Sequence, residues 1–94
     1  MIYRSNNNYI LEDVMGDTAI IAIEQDIAKM KSMVATNETG RKMLECLADG
    51  KEHSTEDVVS SIMEEFEVEE AMATKDVDEF LGKLSQCGYV TIVG

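Results

Sequence analysis

The chain has 94 residues, which is enough for one hydrophobic core and too few for two. Apolar residues make up 45% of the composition, yet no apolar run approaches the roughly 18 residues that a membrane span needs. The net charge of −11 argues against a nucleic-acid partner, because phosphate contacts need a basic face. We therefore expect a single domain over residues 1–94, with neither membrane nor nucleic acid as a partner.

The N-terminal residues 1–8 are polar and contain Asn6-Asn7-Asn8, which predicts a frayed start. They also lack the apolar stretch of a signal peptide, so the expected location is the cytoplasm.

Residue types that carry chemistry are sparse. Cys46, Cys87 and His53 are too few and too far apart for a standard zinc site, and we expect two reduced thiols. His53 precedes a predicted helix and is more typical of a surface position near a cap than of a general base. The chain has no phosphate-binding loop, nucleophile elbow or calcium loop. The sequence therefore predicts no catalytic residue, no metal and no cofactor.

Charge is distributed unevenly along the chain. Residues 45–80 hold 13 of the 19 acidic residues, whereas residues 27–44 carry a local charge of +3. The cations of that basic stretch are Lys29, Lys31, Arg41 and Lys42. They could attract an acidic partner, or they could be ordinary solvated side chains.

The first half of the chain predicts strands. Residues 9–15 and 18–23 are apolar runs separated by Gly16-Asp17, which is a hairpin signal. A polar break over residues 24–28 precedes a weaker third strand at residues 30–36. In that strand one face carries Met30, Ser32, Val34 and Thr36, and the other carries Lys31, Met33 and Ala35.

The second half predicts three helices and a short terminal strand. Asn37 can cap a first helix that runs to about Ala48, before Asp49-Gly50. Ser54, with Asp57 three residues later, resembles a capping box for a second helix. The apolar stripe of the second helix is Val58, Val59, Ile62, Met63 and Phe66, and that of the third is Val77, Phe80, Leu81 and Leu84. The third helix begins between Glu69 and Thr74 and ends at Gly88, and residues 89–93 follow as a strand.

The order of elements predicts an α+β fold. A three-stranded N-terminal antiparallel sheet precedes three helices and a short C-terminal strand, which is typical of a winged-helix-like body.

Short motifs at the boundaries of these elements resemble those of one family. They are Asn37-Glu38-Thr39-Gly40, Ala48-Asp49-Gly50-Lys51, Ser54-Thr55-Glu56-Asp57-Val58-Val59, Glu65-Phe66-Glu67-Val68, Asp76-Val77, Phe80-Leu81 and Gly88-Tyr89-Val90. Their succession resembles the coenzyme PQQ synthesis protein D (PqqD) family, also described as the RiPP recognition element of ribosomally made, modified peptides. The stretch from Glu24 to Met33 lacks the Pro-Glu-Gly type of turn associated with the PQQ pathway itself, which favours a related peptide pathway.

The resemblance implies a non-catalytic module that binds the leader segment of a precursor peptide. In this family the leader adds a strand to the third strand, lies against the third helix and is presented to a modifying enzyme, often a radical SAM enzyme. The implied peptide-binding residues are Met30, Lys31, Ser32, Met33, Val34, Ala35, Asp76, Val77, Phe80, Leu81, Lys83 and Leu84.

Several interpretations stay open on the sequence alone. The lysines near the third strand could protect an edge from self-pairing or attract a peptide, and the edge could also pair two copies of the chain. Met30 and Met33 could line an adaptable groove or fill a core, and Asp76 and Lys83 could be plain surface charges. A winged-helix DNA-binding regulator and an enzyme-associated scaffold module are the alternative functions. The acidic third helix weighs against the regulator.

Overall fold

The computed structural model describes residues 1–23 and 34–94. Six strands and three helices are assigned in them. They are β1 (Ile2–Ser5), β2 (Tyr9–Val14), β3 (Asp17–Ala22), β4 (Val34–Thr36), α1 (Glu38–Leu47), β5 (His53–Ser54), α2 (Thr55–Glu65), α3 (Glu70–Cys87) and β6 (Val90–Ile92). The predicted polar break at residues 24–28, and Met30 to Met33 of the predicted third strand, lie outside the described residues.

The N-terminal antiparallel sheet has the strand order β2-β3-β4. Met15 and Gly16 form its hairpin turn, both with positive φ, at 53° and 91°. Val14 pairs with Asp17 around them, so the turn is one residue earlier than the predicted Gly16-Asp17. Two consecutive left-handed residues match the right-handed twist of the flanking strands, which explains the need for a glycine here.

A second antiparallel sheet, of order β5-β1-β6, was not predicted. Its central strand is β1, which corrects the expectation that residues 1–8 are frayed. Tyr3 in β1 is fully buried, and the side-chain amides of Asn6 and Asn8 both donate to the Gly88 carbonyl at 3.0 Å. The polar N-terminal residues are therefore tied to the end of α3 by hydrogen bonds.

The helices begin and end where their capping residues predict. The side chain of Asn37 accepts from the Gly40 N–H, and Ser54 forms a complete capping box with Asp57. Gly88 ends α3 in the left-handed conformation. The three helices, the N-terminal sheet and the C-terminal strand β6 confirm the α+β, winged-helix-like fold class.

The core lies between the three helices and the two sheets. Its fully buried side chains include Tyr3 from β1, Ile20 from β3, Leu44 from α1, Ile62 from α2 and Leu81 from α3. Partly buried Tyr9 and Leu11 of β2 pack against this cluster. The N-terminal sheet is thus held against the helices by its inner face, and β4 is fixed beside α1.

Tyr3 provides a test of how β1 is anchored. Its hydroxyl donates to Asp78 Oδ1 at 2.6 Å, and Thr55 donates to the same oxygen at 2.8 Å. Burial, followed by the hydrogen bond and charge of Asp78, raises the pKa of Tyr3 to about 12 from 10.0. Because the neutral phenol is favoured in the folded state, its stabilising contribution is complete below pH 10 and is lost as the pH rises towards 12.

We expect the free energy of unfolding to fall by roughly 1–2 kcal/mol across this pH range, allowing for solvent screening. Urea denaturation from pH 9 to pH 12 measures the loss. In Tyr3→Phe the loss should be smaller, and the remainder comes from Tyr9 and Tyr89, because burial raises the pKa of each of them as well. The variant should lose about 1 kcal/mol at neutral pH for the missing hydrogen bond. An equal pH slope in the two proteins would contradict the assignment.

Candidate functional site

Among residues 1–23 and 34–94, the backbone groups at the outer edge of β4 have no partner strand. In the described residues β4 pairs with β3 alone, through Thr18–Thr36, Ala19–Ala35 and Ile20–Val34. The Ile23 N–H donates to the Asn8 carbonyl at 3.0 Å, which marks that pair as a hydrogen-bonded one. In antiparallel sheets, hydrogen-bonded pairs alternate with non-hydrogen-bonded pairs along the strand. The backbone groups of Asp17, Ala19 and Ile21 therefore bond to β2. Those of Thr18 and Ile20 bond to β4.

The same alternation fixes which residue of β4 faces outwards. Val34 and Thr36 exchange hydrogen bonds with β3, because their partners are Ile20 and Thr18. Ala35 lies between them in a non-hydrogen-bonded pair, so its N–H and C=O point away from β3. Ala35 is exposed. The edge therefore offers one donor and one acceptor at Ala35 for an added strand.

A groove of about 430 Å³ begins at this edge and runs between α1 and α3. Its apolar lining comes from Met43 of α1, Phe80 of α3 and Val68, which precedes α3. The complete lining is Thr36, Asn37, Thr39, Gly40, Met43, Val68, Asp76, Glu79, Phe80 and Lys83. The arrangement combines a free strand edge with side-chain pockets beside it, which are the two requirements for binding an extended peptide.

Gly40 allows α1 to approach the end of β4 closely. A Cβ atom at this position would overlap Thr36 Oγ1 and lie 3.1 Å from Phe80 Cζ. Overpacking of this kind typically costs about 1–3 kcal/mol. A side chain at position 40 would therefore press on Thr36 and Phe80, which line the groove together with Gly40.

We expect Gly40→Ala to lower the free energy of unfolding by about 1 kcal/mol, because the overlap outweighs the higher helix propensity of alanine. Gly82→Ala is the matched control, since Gly82 is in α3 and an added Cβ would meet no atom within 4 Å. That variant should gain roughly 0.5–1 kcal/mol. Urea denaturation measures both, and a gain in both would show that the Gly40 contact is absent.

The structure divides the predicted site residues into three groups. Asp76, Phe80 and Lys83 line the groove, and Val34 and Ala35 lie in the edge strand. Val77, Leu81 and Leu84 are fully buried in the core and do not line the groove, because they occupy the adjoining face of α3. Met30, Lys31, Ser32 and Met33 lie outside the described residues.

Helix α1 contributes one wall of the groove, which the sequence analysis does not predict. Its residues were visible in the sequence as Asn37-Glu38-Thr39-Gly40, which was interpreted only as a cap and a family motif. The available signal is Gly40, the third residue of a capped helix. Glycine lowers helix stability, so a glycine at this position indicates that another segment approaches the helix closely. Glu79 and Val68 had no comparable signal, because their place in the groove depends on tertiary packing.

The basic stretch does not give the described site a basic character. Arg41 forms ion pairs with Asp13 and, at 3.7 Å, with Glu45. Lys42 Nζ lies 3.0 Å from Glu65 Oε1, and this hydrogen bond raises the pKa of Lys42. Lys29 and Lys31 lie outside the described residues. The two described cations of that stretch are therefore neutralised by acids of β2, α1 and α2.

Elsewhere in residues 1–23 and 34–94, no three metal-ligating side chains come together. His53 Nε2 lies 2.9 Å from Asp49 Oδ1 at the turn after α1. The Lys51 N–H, and then His53, lower the pKa of Asp49. No helix of the described chain is both long and apolar enough to cross a membrane.

The fold and the site together define a small winged-helix-like domain, in whose described part the edge of β4 is unpaired beside a groove between two helices. The family model of coenzyme PQQ synthesis protein D (PqqD) matches residues 17–90. The chain therefore belongs to the PqqD family. No protein with a curated description matches it in sequence.

Two solved structures share the fold over almost their whole length. TbiB1, solved in complex with the TbiA(beta) leader peptide, aligns with a TM-score of 0.71 at 14% identity and covers 97% of this chain and 98% of its own. A lasso peptide synthetase B1, complexed with the leader peptide, aligns with a TM-score of 0.68 at 20% identity, covering 96% and 98%. At these identities the likeness concerns the fold.

Proposed function

We propose that this chain is a recognition module that binds the leader segment of a ribosomally made precursor peptide and presents it to a modifying enzyme. The single observation that carries the proposal is the outward-facing backbone of Ala35 at the rim of the groove. A leader strand would pair with β4 at Ala35 and place alternate side chains in the groove. Main-chain hydrogen bonds supply affinity, and the pockets fix the register.

The comparisons support the peptide as ligand. The TbiB1 and lasso peptide synthetase B1 structures, which are similar to this chain in fold, are both complexes with a leader peptide. Family membership supports a role in peptide modification.

In this proposal the chain supplies binding and orientation, and the enzyme supplies the chemistry. The enzyme partner is of the radical SAM type or another peptide-modifying class. The free edge that accepts a peptide could also pair with a second copy of the chain, in which case peptide and dimer would compete for the same backbone groups.

The direct test is a titration of labelled peptides encoded by short reading frames beside this gene, followed by fluorescence anisotropy. We expect saturable binding by the leader half of one precursor and none by its core half. No saturation of any such peptide by about 100 µM, which corresponds to a binding free energy of about −5.5 kcal/mol, would contradict the proposal.

A further inference from the structure

The side chains that α3 contributes to the groove are, in chain order, two acids, an aromatic residue and a lysine. Asp76, Glu79, Phe80 and Lys83 are spaced i, i+3, i+4 and i+7, so they lie on one face of the helix. Both carboxylates are exposed, and neither forms an ion pair with a cation of residues 1–23 or 34–94. The acids lie on the N-terminal side of Phe80, and Lys83 lies one turn beyond it.

The middle of the groove is apolar. Met43 is buried, Phe80 is partly buried, and Val68 remains 38% exposed. An apolar side chain of a bound peptide would remove Phe80 and Val68 from water at this point. Burial of a leucine-sized side chain is worth roughly 1.5–3 kcal/mol, so this position would provide the main side-chain anchor.

The geometry fixes the distance between this anchor and the acids. Asp76 precedes Phe80 by one helical turn, which is about 6 Å along the axis. Alternate residues of an extended strand face the same side and are about 6.7 Å apart. In a peptide strand that runs along α3, the residue two positions from the apolar anchor therefore lies beside Asp76, and Glu79 is on the same helix face between Asp76 and Phe80.

The wider electrostatics favour a cation at that position. The chain carries a net charge of −11, and Arg41 and Lys42 of α1 are paired with acids. Among the described residues, Lys83 is the one cation that lines the groove, beside the two acids Asp76 and Glu79. A negative field of this kind attracts basic segments and repels acidic ones. On the other side of the anchor, Lys83 repels a cation. The two ends of the groove therefore favour peptide residues of opposite charge.

We propose that the groove selects peptides that carry Lys or Arg two residues from an apolar anchor, on the side facing Asp76 and Glu79. This inference rests on the proposed function and names the class of peptide that it serves. The expected peptide is basic at this position, whereas the basic stretch of the sequence suggests an acidic partner.

The test is a selection from a random 15-residue peptide library displayed on messenger RNA, with the full chain immobilised. We expect the selected peptides to share an apolar residue with Lys or Arg two positions away. The best of them is then synthesised with Lys, Gln or Glu at that position. Affinity should decrease in this order, with Lys and Glu differing by roughly tenfold at low salt.

Charge reversal on the protein separates a direct contact from a structural role. Glu79→Lys should invert the order, so that the Glu peptide binds better than the Lys peptide. Glu52→Lys is the matched control, because Glu52 is exposed, lies outside the groove and changes the net charge equally. That variant should keep the wild-type order.

The outcomes distinguish the two proposals. Selected peptides without a charge preference, or with acids at the second position, would overturn the inference and leave the leader-binding function standing. Inversion of the order by Glu52→Lys as well would also overturn it, because bulk charge would then be the cause. Failure to select any peptide, together with no binding by neighbouring precursors, would overturn both.

Discussion

Replacing Ala35 with proline is expected to abolish peptide binding while β4 stays paired with β3. Proline removes the N–H that faces the free edge, and its ring occupies the position where a peptide strand would approach. Loss of one main-chain hydrogen bond, together with this clash, should weaken binding at least tenfold, a change of about 1.4 kcal/mol or more. Anisotropy titration with the bound precursor peptide measures the effect.

Val34→Pro is the matched control, one residue away in the same strand. The Val34 N–H belongs to a hydrogen-bonded pair with Ile20, so proline there removes a bond within the sheet. This variant should lower the free energy of unfolding by roughly 1–3 kcal/mol. Folded Ala35→Pro protein that binds with wild-type affinity would show that the peptide does not add to β4.

Leu81→Ala and Phe80→Ala should have opposite consequences, although the two residues are adjacent in α3. Leu81 is fully buried in the core. Truncation of a buried leucine to alanine leaves a cavity and costs about 2–5 kcal/mol. For a domain of this size, each kcal/mol lowers the melting temperature by about 4–8 °C. Thermal unfolding followed by circular dichroism should therefore show a large shift in Leu81→Ala.

Phe80 lies on the groove side of α3, where it is only partly buried. Phe80→Ala should reduce stability much less, yet weaken peptide binding roughly tenfold or more, since it removes the aromatic surface that an apolar anchor would contact. Leu81→Ala, assayed well below its melting temperature, should bind with near wild-type affinity. A Leu81→Ala protein that is stable but fails to bind would show that the peptide contacts Leu81, and would contradict its placement on the Phe80 face of α3.

Much of the fold could be predicted because its larger elements carry local signals. Two apolar runs around Gly16 predict the β2–β3 hairpin, and the 3.6-residue spacing of Val77, Leu81 and Leu84 predicts α3. Asn37 and Ser54 cap their helices through the bonds that their side chains predict. Each of these signals lies within a few residues of the structure it specifies.

The second sheet could not be predicted, because its strands contain two to four residues and have no periodicity to detect. The hydroxyl of buried Tyr3 donates to Asp78, which is 75 positions away and also accepts from Thr55. A polar N-terminal segment therefore resembles a frayed end until its distant partners are known.

The candidate site was predicted in part for the same reason. A strand edge and α3 could be named from the sequence, but the outward face of Ala35 depends on a register set by Asn8 and Ile23. The charge of the site depends on pairs such as Arg41 with Asp13, which are 28 residues apart. Register and long-range ion pairs are properties of the assembled fold.

Asn6 and Asn8 have a consequence for binding kinetics. Their amides join the residues that precede β2 to the Gly88 carbonyl at the end of α3, so the sheet that carries β4 is connected to the helix that lines the groove. A cleft held open in this way loses little conformational entropy when a peptide enters. Association should then be a single exponential phase whose rate rises linearly with peptide concentration. A plateau at high peptide concentration would instead reveal a slow opening step before binding.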